Sequence, residues 1–556
     1  MSTVFLHKKT VFLHNLRSGQ KVNKLSKKIV FLYKKVLLST EIGGILRWLC
    51  TVAPYANLAL LCVFAVKIFT AKTQRIKVPI SFHPFLLYLT SPAMNLLSRR
   101  QFLKTGAVLT ASAFAAPALY LKAQTPSNRV RIAFIGTGPE GRSNCVDFTN
   151  VGDLVALCDL DEAYGIAPAM RNARIADRKP DIYSDYRRVL DRKDIDIIGT
   201  ATPDHWHTKI VVESLMADKH VFCEKPLTLT VEEGTLIRNA NKKYNKVIQV
   251  GTQQRAMKIF QTAVLIVQKG FLGEIKRAVC HIDGGDVSDG SVPKAEVPAT
   301  LDWNTWLGQA AYRDYLATEE LTPRANFMFP KNTNGHHQFR WWFDFAGGKF
   351  TDWGAHHVGI ALWALKQGKP GQGPEKFIPV IAEHPVPMEN GYPTVHNQYQ
   401  TATRFQVDCP MPGGTLLQVV SHSEHGNGIF FEGTKGNMHV SRGRIRGSVY
   451  ENEKVQDTFT EEDYTSLSYG KKLNWDLGGR NFHKQNMIDC IKEGGLPVSD
   501  LDTDVQQINL CHLACIATRL GRELVWDAKT DTFVNDDYAN TFLAREQRKG
   551  FEIPRV

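Results

Sequence analysis

Arg129-Val130-Arg131-Ile132-Ala133-Phe134-Ile135-Gly136-Thr137-Gly138-Pro139-Glu140-Gly141 is the stretch that decides the fold. Its first half is a short apolar run, the pattern of a strand buried on both faces. Its second half is GxGxxG. The first glycine makes a tight turn, the second lets a pyrophosphate approach the backbone, and the third lets helix and strand pack closely. A lone motif of this kind is weak, so the residues that follow it matter. Residues 153–160 form a second apolar run that carries Asp159, 23 residues after Gly136. That spacing suits a carboxylate that binds a ribose 2′-OH and repels a 2′-phosphate, so NAD is expected in preference to NADP.

Further strand-like runs at 195–200, 220–223 and 247–251 alternate with helical stretches, which predicts a parallel, doubly wound sheet. Ligands bind such sheets at the carboxyl ends of their strands. The residues there are chemically loaded: Thr202-Pro203-Asp204-His205-Trp206-His207 after one strand and Glu224-Lys225-Pro226 after the next. Gly136, Gly138, Gly141, Asp159, Thr202, His207 and Glu224 are the expected cofactor-binding residues, with His207 at the cofactor edge.

Past Arg255 the pattern changes. Alternating runs at 276–282, 401–407, 415–421 and 429–433 predict a largely antiparallel sheet with one solvent-exposed face. The expected class is α/β: an N-terminal Rossmann domain with a doubly wound parallel sheet over 124–252, then an α+β domain for substrate and oligomerisation, with a large mostly antiparallel sheet, over 253–526. Residues 527–556 read as an extended tail that wraps a partner protomer.

The net charge of +13 invites a nucleic-acid reading, but residues 1–97 hold 14 Lys/Arg against Glu41 alone, a surplus that equals the whole. From Ala123 onward, 50 bases face 54 acids, which excludes a basic face for phosphate backbones. No nucleic-acid partner is expected. Ser98-Arg99-Arg100-Gln101-Phe102-Leu103-Lys104, followed by an Ala-rich apolar run to Leu121, has the order of a twin-arginine export signal over 94–123. Met94 is the expected start, and cleavage after Ala115 or Ala123 fits. The expected partner is the twin-arginine export machinery, and the expected location is periplasmic or exported. Residues 1–93 read as upstream, non-native sequence, or alternatively as a membrane anchor at 46–69.

None of the ten cysteines forms a CxxC pair. Cys158 and Cys223 fall in apolar runs and read as buried thiols, and Cys511 and Cys515 lie one helical turn apart. Neither crosslink nor metal is expected, although His205/His207, His336/His337 and His356/His357 cluster in sequence.

These motifs, with Gly251-Thr252-Gln253-Gln254-Arg255, Leu301-Asp302-Trp303-Asn304-Thr305-Trp306-Leu307-Gly308, Asp352-Trp353-Gly354-Ala355-His356-His357, and His483 with Asn486, closely resemble the Gfo/Idh/MocA family over about 129–526. The resemblance implies a nicotinamide-dependent oxidoreductase, with the EKP lysine near nicotinamide and substrate hydroxyl and an Asp-x-x-x-His pair in the second domain. Lys225, Asp352 and His356 match and are the expected catalytic residues. It also implies a homo-oligomer, dimer or tetramer.

The chemistry agrees. Oxidising a secondary alcohol needs a base for the hydroxyl proton while hydride leaves for C4 of nicotinamide, and the reverse needs an acid in the same place. Asp352 and His356 share a face if their stretch is helical. His356 is then the proton-transfer residue, oriented by Asp352, with Lys225 polarising the oxygen, or the two roles are exchanged. His337, His357 and Arg340 are expected near sugar hydroxyls, and Trp341, Trp342 and Trp353 either face the sugar or pack in the core.

The expected activity is hydride transfer between a tightly bound nicotinamide cofactor and a sugar, glycoside or polyol hydroxyl outside the cytoplasm. Free nicotinamide is lacking there, so the cofactor must be captive, serving two substrates in turn or a redox-neutral cycle. The alternative is an NAD-dependent glycoside hydrolase or lyase that works by transient oxidation and elimination. That branch, by the resemblance, lacks the lysine that this chain keeps as Lys225.

Overall fold

The computed structural model describes residues 129–324, 327–453, 455–471 and 478–556. All fall in one compact unit, Tyr120–Val556. The expected export signal at 94–123 and the segment 1–93 lie outside the described residues.

Strand β1 (Arg131–Ile135) buries Ile132, Ala133 and Phe134 completely, as a strand covered on both faces must. It is joined by β2 (Asp153–Cys158), β3 (Asp181–Tyr183), β4 (Ile197–Thr200), β5 (His220–Cys223) and β6 (Ile248–Val250). The order is β3-β2-β1-β4-β5-β6, all parallel. It reverses between β1 and β4, and the crevice at the carboxyl ends there is where doubly wound sheets bind ligands. Helices α1 (Pro139–Val151), α2 (Asp204–Met216) and α3 (Val231–Tyr244) cover the sheet. Residues 124–252 are the expected bounds of the Rossmann domain; the strands of this sheet run from Arg131 to Val250.

After α4 (Lys258–Gln268), strand β7 (Ile275–His281) starts the second sheet. Its other strands are β8 (Lys376–Glu383), β9 (Arg404–Pro410), β10 (Leu416–Val420), β11 (Gly428–Gly433), β12 (Gly436–Val440), β13 (Ile445–Arg446), β14 (Leu524–Asp527) and β15 (Thr532–Phe533). The order is β13-β12-β11-β7-β10-β9-β8-β14-β15, antiparallel except where β7 runs parallel to β10. Helices α4, α5 (Gly354–Ala364) and α7 (Leu501–Leu520) fill one face with Phe260, Val358 and Ile508 among the core residues. The other face carries a small apolar patch of Val279, Val420 and Phe430.

Two stretches differ from the sequence boundaries. Helix α6 (Gly479–Glu493), assigned by sequence to the substrate domain, returns to the Rossmann sheet, where Met487 and Ile488 join Ile132, Phe134 and Phe222. Its apolar residues fit either sheet, and only tertiary packing decides between them. Residues 527–556 do not hang free: β15 extends the second sheet, and Ile553 then packs with Val211 and Leu215 of α2. Arg548 Nε donates to Gly308 O at 2.9 Å and Lys209 Nζ to Glu552 O at 2.8 Å, so this segment is bound to both domains of its own chain.

All eight described cysteines are free and buried. Among the described residues no helix is long and apolar enough to cross a membrane, and no three His, Cys, Asp or Glu side chains gather as a metal site.

Candidate active site

Gly136 adopts φ +82°, and a Cβ there would stand 2.8 Å from Thr202 N. At Gly141 a Cβ would strike the carbonyl oxygen of Gly136, so the third glycine is fixed by the closeness of helix to turn. Gly138 caps α1 without any side-chain acceptor, and Pro139 opens the helix. The first-turn N–H groups are therefore left for an anion.

A cavity of about 1030 Å³ opens here, lined by Gly136, Gly138, Asp159, Thr202, His207 and Glu224 together with Lys225, Asp352 and His356. It is at the top of the ~300–1,000 Å³ range of small-molecule sites. Of the expected site residues, only Gly141 sits behind the wall.

Asp159 stands at the end of β2, where its carboxylate accepts from Thr137 N at 2.6 Å and from Asp161 N at 3.0 Å. Burial raises its pKa, and those two N–H groups oppose the rise. It both braces the glycine turn and faces the cavity. Asp161 continues the same edge. It accepts from Thr300 Oγ1 at 2.9 Å, lies 2.9 Å from His336 Nε2, and bridges by its backbone to Leu301. His336 stacks on Tyr164 with centroids 4.0 Å apart. Loops of the second domain thus close over the glycine-loop end of the cavity.

His207 is 1% exposed, with Nδ1 2.6 Å from Pro226 O and Nε2 2.9 Å from Thr202 O. Burial pushes its pKa down to about 4, so the ring is neutral and donates to one of these carbonyls at a time. Its nitrogens hold together the loops after β4 and β5, a positioning role more than a cofactor contact. Glu224, also buried, accepts from Asn144 Nδ2 at 2.8 Å and from Lys225 N at 3.2 Å.

Lys225 forms an ion pair with one oxygen of Asp352, and Arg340 Nη1 donates to the other at 3.0 Å. Asp352 closes a short helix, Lys349–Asp352, just before α5. Burial opposes the charge on Lys225, but the Asp352 carboxylate outweighs it and raises the pKa. Burial likewise opposes ionisation of Asp352, and Lys225 and Arg340 together hold its carboxyl well below the usual range. The expectation that Asp352 orients His356 is overturned, because both Asp352 oxygens are committed to cations. The chain departs from one continuous helix at Trp353, and the i,i+4 argument needed continuity. His356 is 4% exposed with no partner on Nδ1; burial, then Lys225 and Arg442, keep it neutral.

Sequence reasoning named the run containing Asp204 without assigning that residue a role. Asp204 opens α2 at the carboxyl end of β4, is 7% exposed and lines the cavity. Burial lifts its pKa to about 7, opposed by Lys225 and assisted by Asp352. Its signal was position: an acid immediately beyond a strand of the doubly wound sheet.

The residues expected near sugar divide. His337, Arg340 and Trp353 line the cavity. His357 is fully buried and bonded to Asn427 Oδ1 at 3.0 Å, while Trp341 and Trp342 join an aromatic core with Trp303 and Tyr399. The expectation that His357 contacts sugar is therefore corrected.

Residues 130–252 match the family model described as oxidoreductase family, NAD-binding Rossmann fold. This is a Gfo/Idh/MocA domain. A glycosyl hydrolase family 109 protein of Shewanella sp. (strain W3-18-1) is 32% identical over 167 residues, 25% of this chain and 36% of that protein. An alpha-N-acetylgalactosaminidase of Shewanella oneidensis is 36% identical over 110 residues, 19% of this chain and 24% of that protein. The chain thus spans about a third or less of the length of these curated relatives. Among solved structures, an aldose-aldose oxidoreductase from Caulobacter crescentus superposes with a TM-score of 0.49 at 17% identity, covering 72% of this chain and 100% of that one. The glycine turn, the uncapped N-terminus of α1 and Asp159 of the Gfo/Idh/MocA domain all fit the NAD that the family description names.

Proposed function

We propose that the chain is an exported oxidoreductase that works on a CH–OH group of a sugar, glycoside or polyol with a tightly held nicotinamide cofactor. The observation that carries this reading is the Lys225–Asp352 pair, which sets a charged lysine in the cavity that the glycine turn lines. Gly136, Gly138 and the free N–H groups of α1 would hold the dinucleotide's pyrophosphate, and Asp159 its ribose. Bound there, the cofactor supplies the hydride acceptor, or the donor in the reverse direction.

The chain's own residues do the rest. Lys225, held charged, donates a hydrogen bond to the substrate oxygen and stabilises the negative charge that grows on it when the hydroxyl proton leaves. His356, held neutral, lines the cavity and is the group placed to take that proton, and Asp204, which lines the same cavity, titrates near 7. In the reducing direction the same path runs backwards: His356 returns the proton to that oxygen while Lys225 keeps its hydrogen bond to it.

The Asp161–His336 contact and the Tyr164 stack support slow cofactor release, as an enzyme working where no nicotinamide pool exists requires. The twin-arginine motif supports export of the folded, loaded protein to the periplasm, and assembly into a dimer or tetramer rests on the family resemblance.

The test is to purify the exported protein, denature it and quantify released nucleotide. Stoichiometric NAD(H) supports the reading, and a protein that binds no nucleotide sinks it.

The names of the curated relatives favour a second reading, a glycosidase acting through transient oxidation and elimination. Release of nitrophenol from 4-nitrophenyl glycosides with no net change in nucleotide absorbance would select it. Lys225 weighs for the oxidoreductase.

A further inference from the structure

Among the described residues, six lysines and arginines line the cavity, and five of them, Arg187, Lys209, Lys225, Arg340 and Arg480, sit in ion pairs with acids of this chain. Arg442, on the loop after β12, is the exception: among the described residues no carboxylate pairs with it. Its guanidinium lies 4.6 Å from the centroid of the Trp353 ring. Trp353 also lines the cavity and packs its ring against His356, with centroids 6.1 Å apart. Arg442 is close enough to oppose protonation of both His356 and His357. It therefore stands between His356 and Asp352 on one side and Glu140, in the first turn of α1, on the other.

An arginine laid on an aromatic face is held in place while the edge of its fork remains open to a bidentate acceptor. A cation left unpaired in a ligand cavity, beside residues that handle the reacting hydroxyl, calls for an anion from the ligand. Neutral sugar hydroxyls do not supply one. We propose that Arg442 reads an acidic group on the substrate, and that the sugar carries a carboxylate, sulfate or phosphate. The inference rests on the sugar-oxidoreductase reading and narrows its substrate class. The competing source of negative charge is the cofactor's pyrophosphate, which already has the glycine turn and the N-terminus of α1.

The experiment uses the exported protein with its nucleotide content measured first. Thermal shifts at constant ionic strength are recorded with matched pairs: glucose and glucuronate, galactose and galacturonate, glucose and glucose 6-sulfate. At least one acid is expected to stabilise the wild type saturably while its neutral partner does not. Arg442→Gln is expected to weaken that binding about tenfold or more, the loss typical of a charge-assisted hydrogen bond, with nucleotide content unchanged. No acid exceeding its neutral partner overturns the proposal, as does an Arg442→Gln protein that binds acids like wild type. An Arg442→Gln protein isolated without nucleotide also overturns it and gives Arg442 to the pyrophosphate. A wild type empty of nucleotide instead overturns the function on which the inference rests.

Discussion

Asp352 holds Lys225, and it does so across two domains: the carboxylate comes from just before α5, and the amine from the loop after β5 of the Rossmann sheet. The same carboxylate binds Arg340, so one buried anion serves two cations. Replacing it strands both. Asp352→Ala is expected to lower stability by about 3–5 kcal/mol, the cost of leaving buried charge uncompensated. Urea unfolding checks this. The double variant Asp352→Leu/Lys225→Met should recover part of the loss without regaining turnover. A single Asp352→Ala protein as stable as wild type would show that the pair is solvated and has no such role.

Asp204 gives a signed pH prediction. An aspartate ordinarily titrates near 3.8, and burial lifts this one to about 7. Between those values the folded protein holds a proton that the unfolded chain has released, so this group's contribution to stability falls as pH rises through the window. Asp204→Asn is therefore expected to melt higher than wild type at pH 8, with the advantage shrinking toward zero near pH 4. In the alcohol-oxidising direction kcat/KM should rise with pH through about 7 in wild type, and the variant should lose that limb. A variant that keeps the limb assigns it to another group.

The strands were legible because periodicity reports burial, and burial is what a parallel strand such as β1 shows on both faces. The glycine turn was legible because its spacing is dictated by sterics that no neighbouring segment can change: Gly141 meets Gly136 a few residues away. Lys225, Asp352 and His356 line one cavity, but their pairing was not readable from the sequence. Which partner Asp352 takes depends on Arg340, twelve positions away in sequence and brought near by the 3-10 turn His336–Trp341. The return of α6 to the Rossmann sheet was illegible for the same reason. Met487 and Ile488 are apolar wherever they pack, and only the assembled sheet decides which surface they cover.

Gly141→Ala tests the cofactor assignment apart from catalysis. The added methyl meets the carbonyl oxygen of Gly136, so α1 must move away from the turn that its N-terminus serves. The expected result is a folded protein, by circular dichroism, that is isolated with little or no bound nucleotide. Full nucleotide content in this variant would place the dinucleotide elsewhere. Gly270→Ala is the control. Gly270 has a positive φ of +76°, which Gly141 lacks, but no heavy atom lies within 4 Å of the added group, so a modest stability loss is expected with nucleotide content intact.

His356 and Asp204 can be told apart by the shape of the pH profile. Burial, and then the charges of Lys225 and Arg442, hold the His356 imidazole neutral far below its ordinary range. It should therefore contribute no titration near pH 6.5, however important it is. His356→Gln is expected to cut turnover by ~10²–10⁴-fold, the usual worth of a positioned acid–base group, while the limb near pH 7 set by Asp204 stays in place. Rates at saturating substrate from pH 5 to 9 decide it. If the limb near 7 vanished with His356 rather than with Asp204, the imidazole would be titrating in the open and the proton would leave by a route that does not use Asp204. If turnover were unchanged, Lys225 would have to take the hydroxyl proton itself. It could do so only after surrendering the charge that Asp352 stabilises, so the profile would shift to the alkaline side of neutrality.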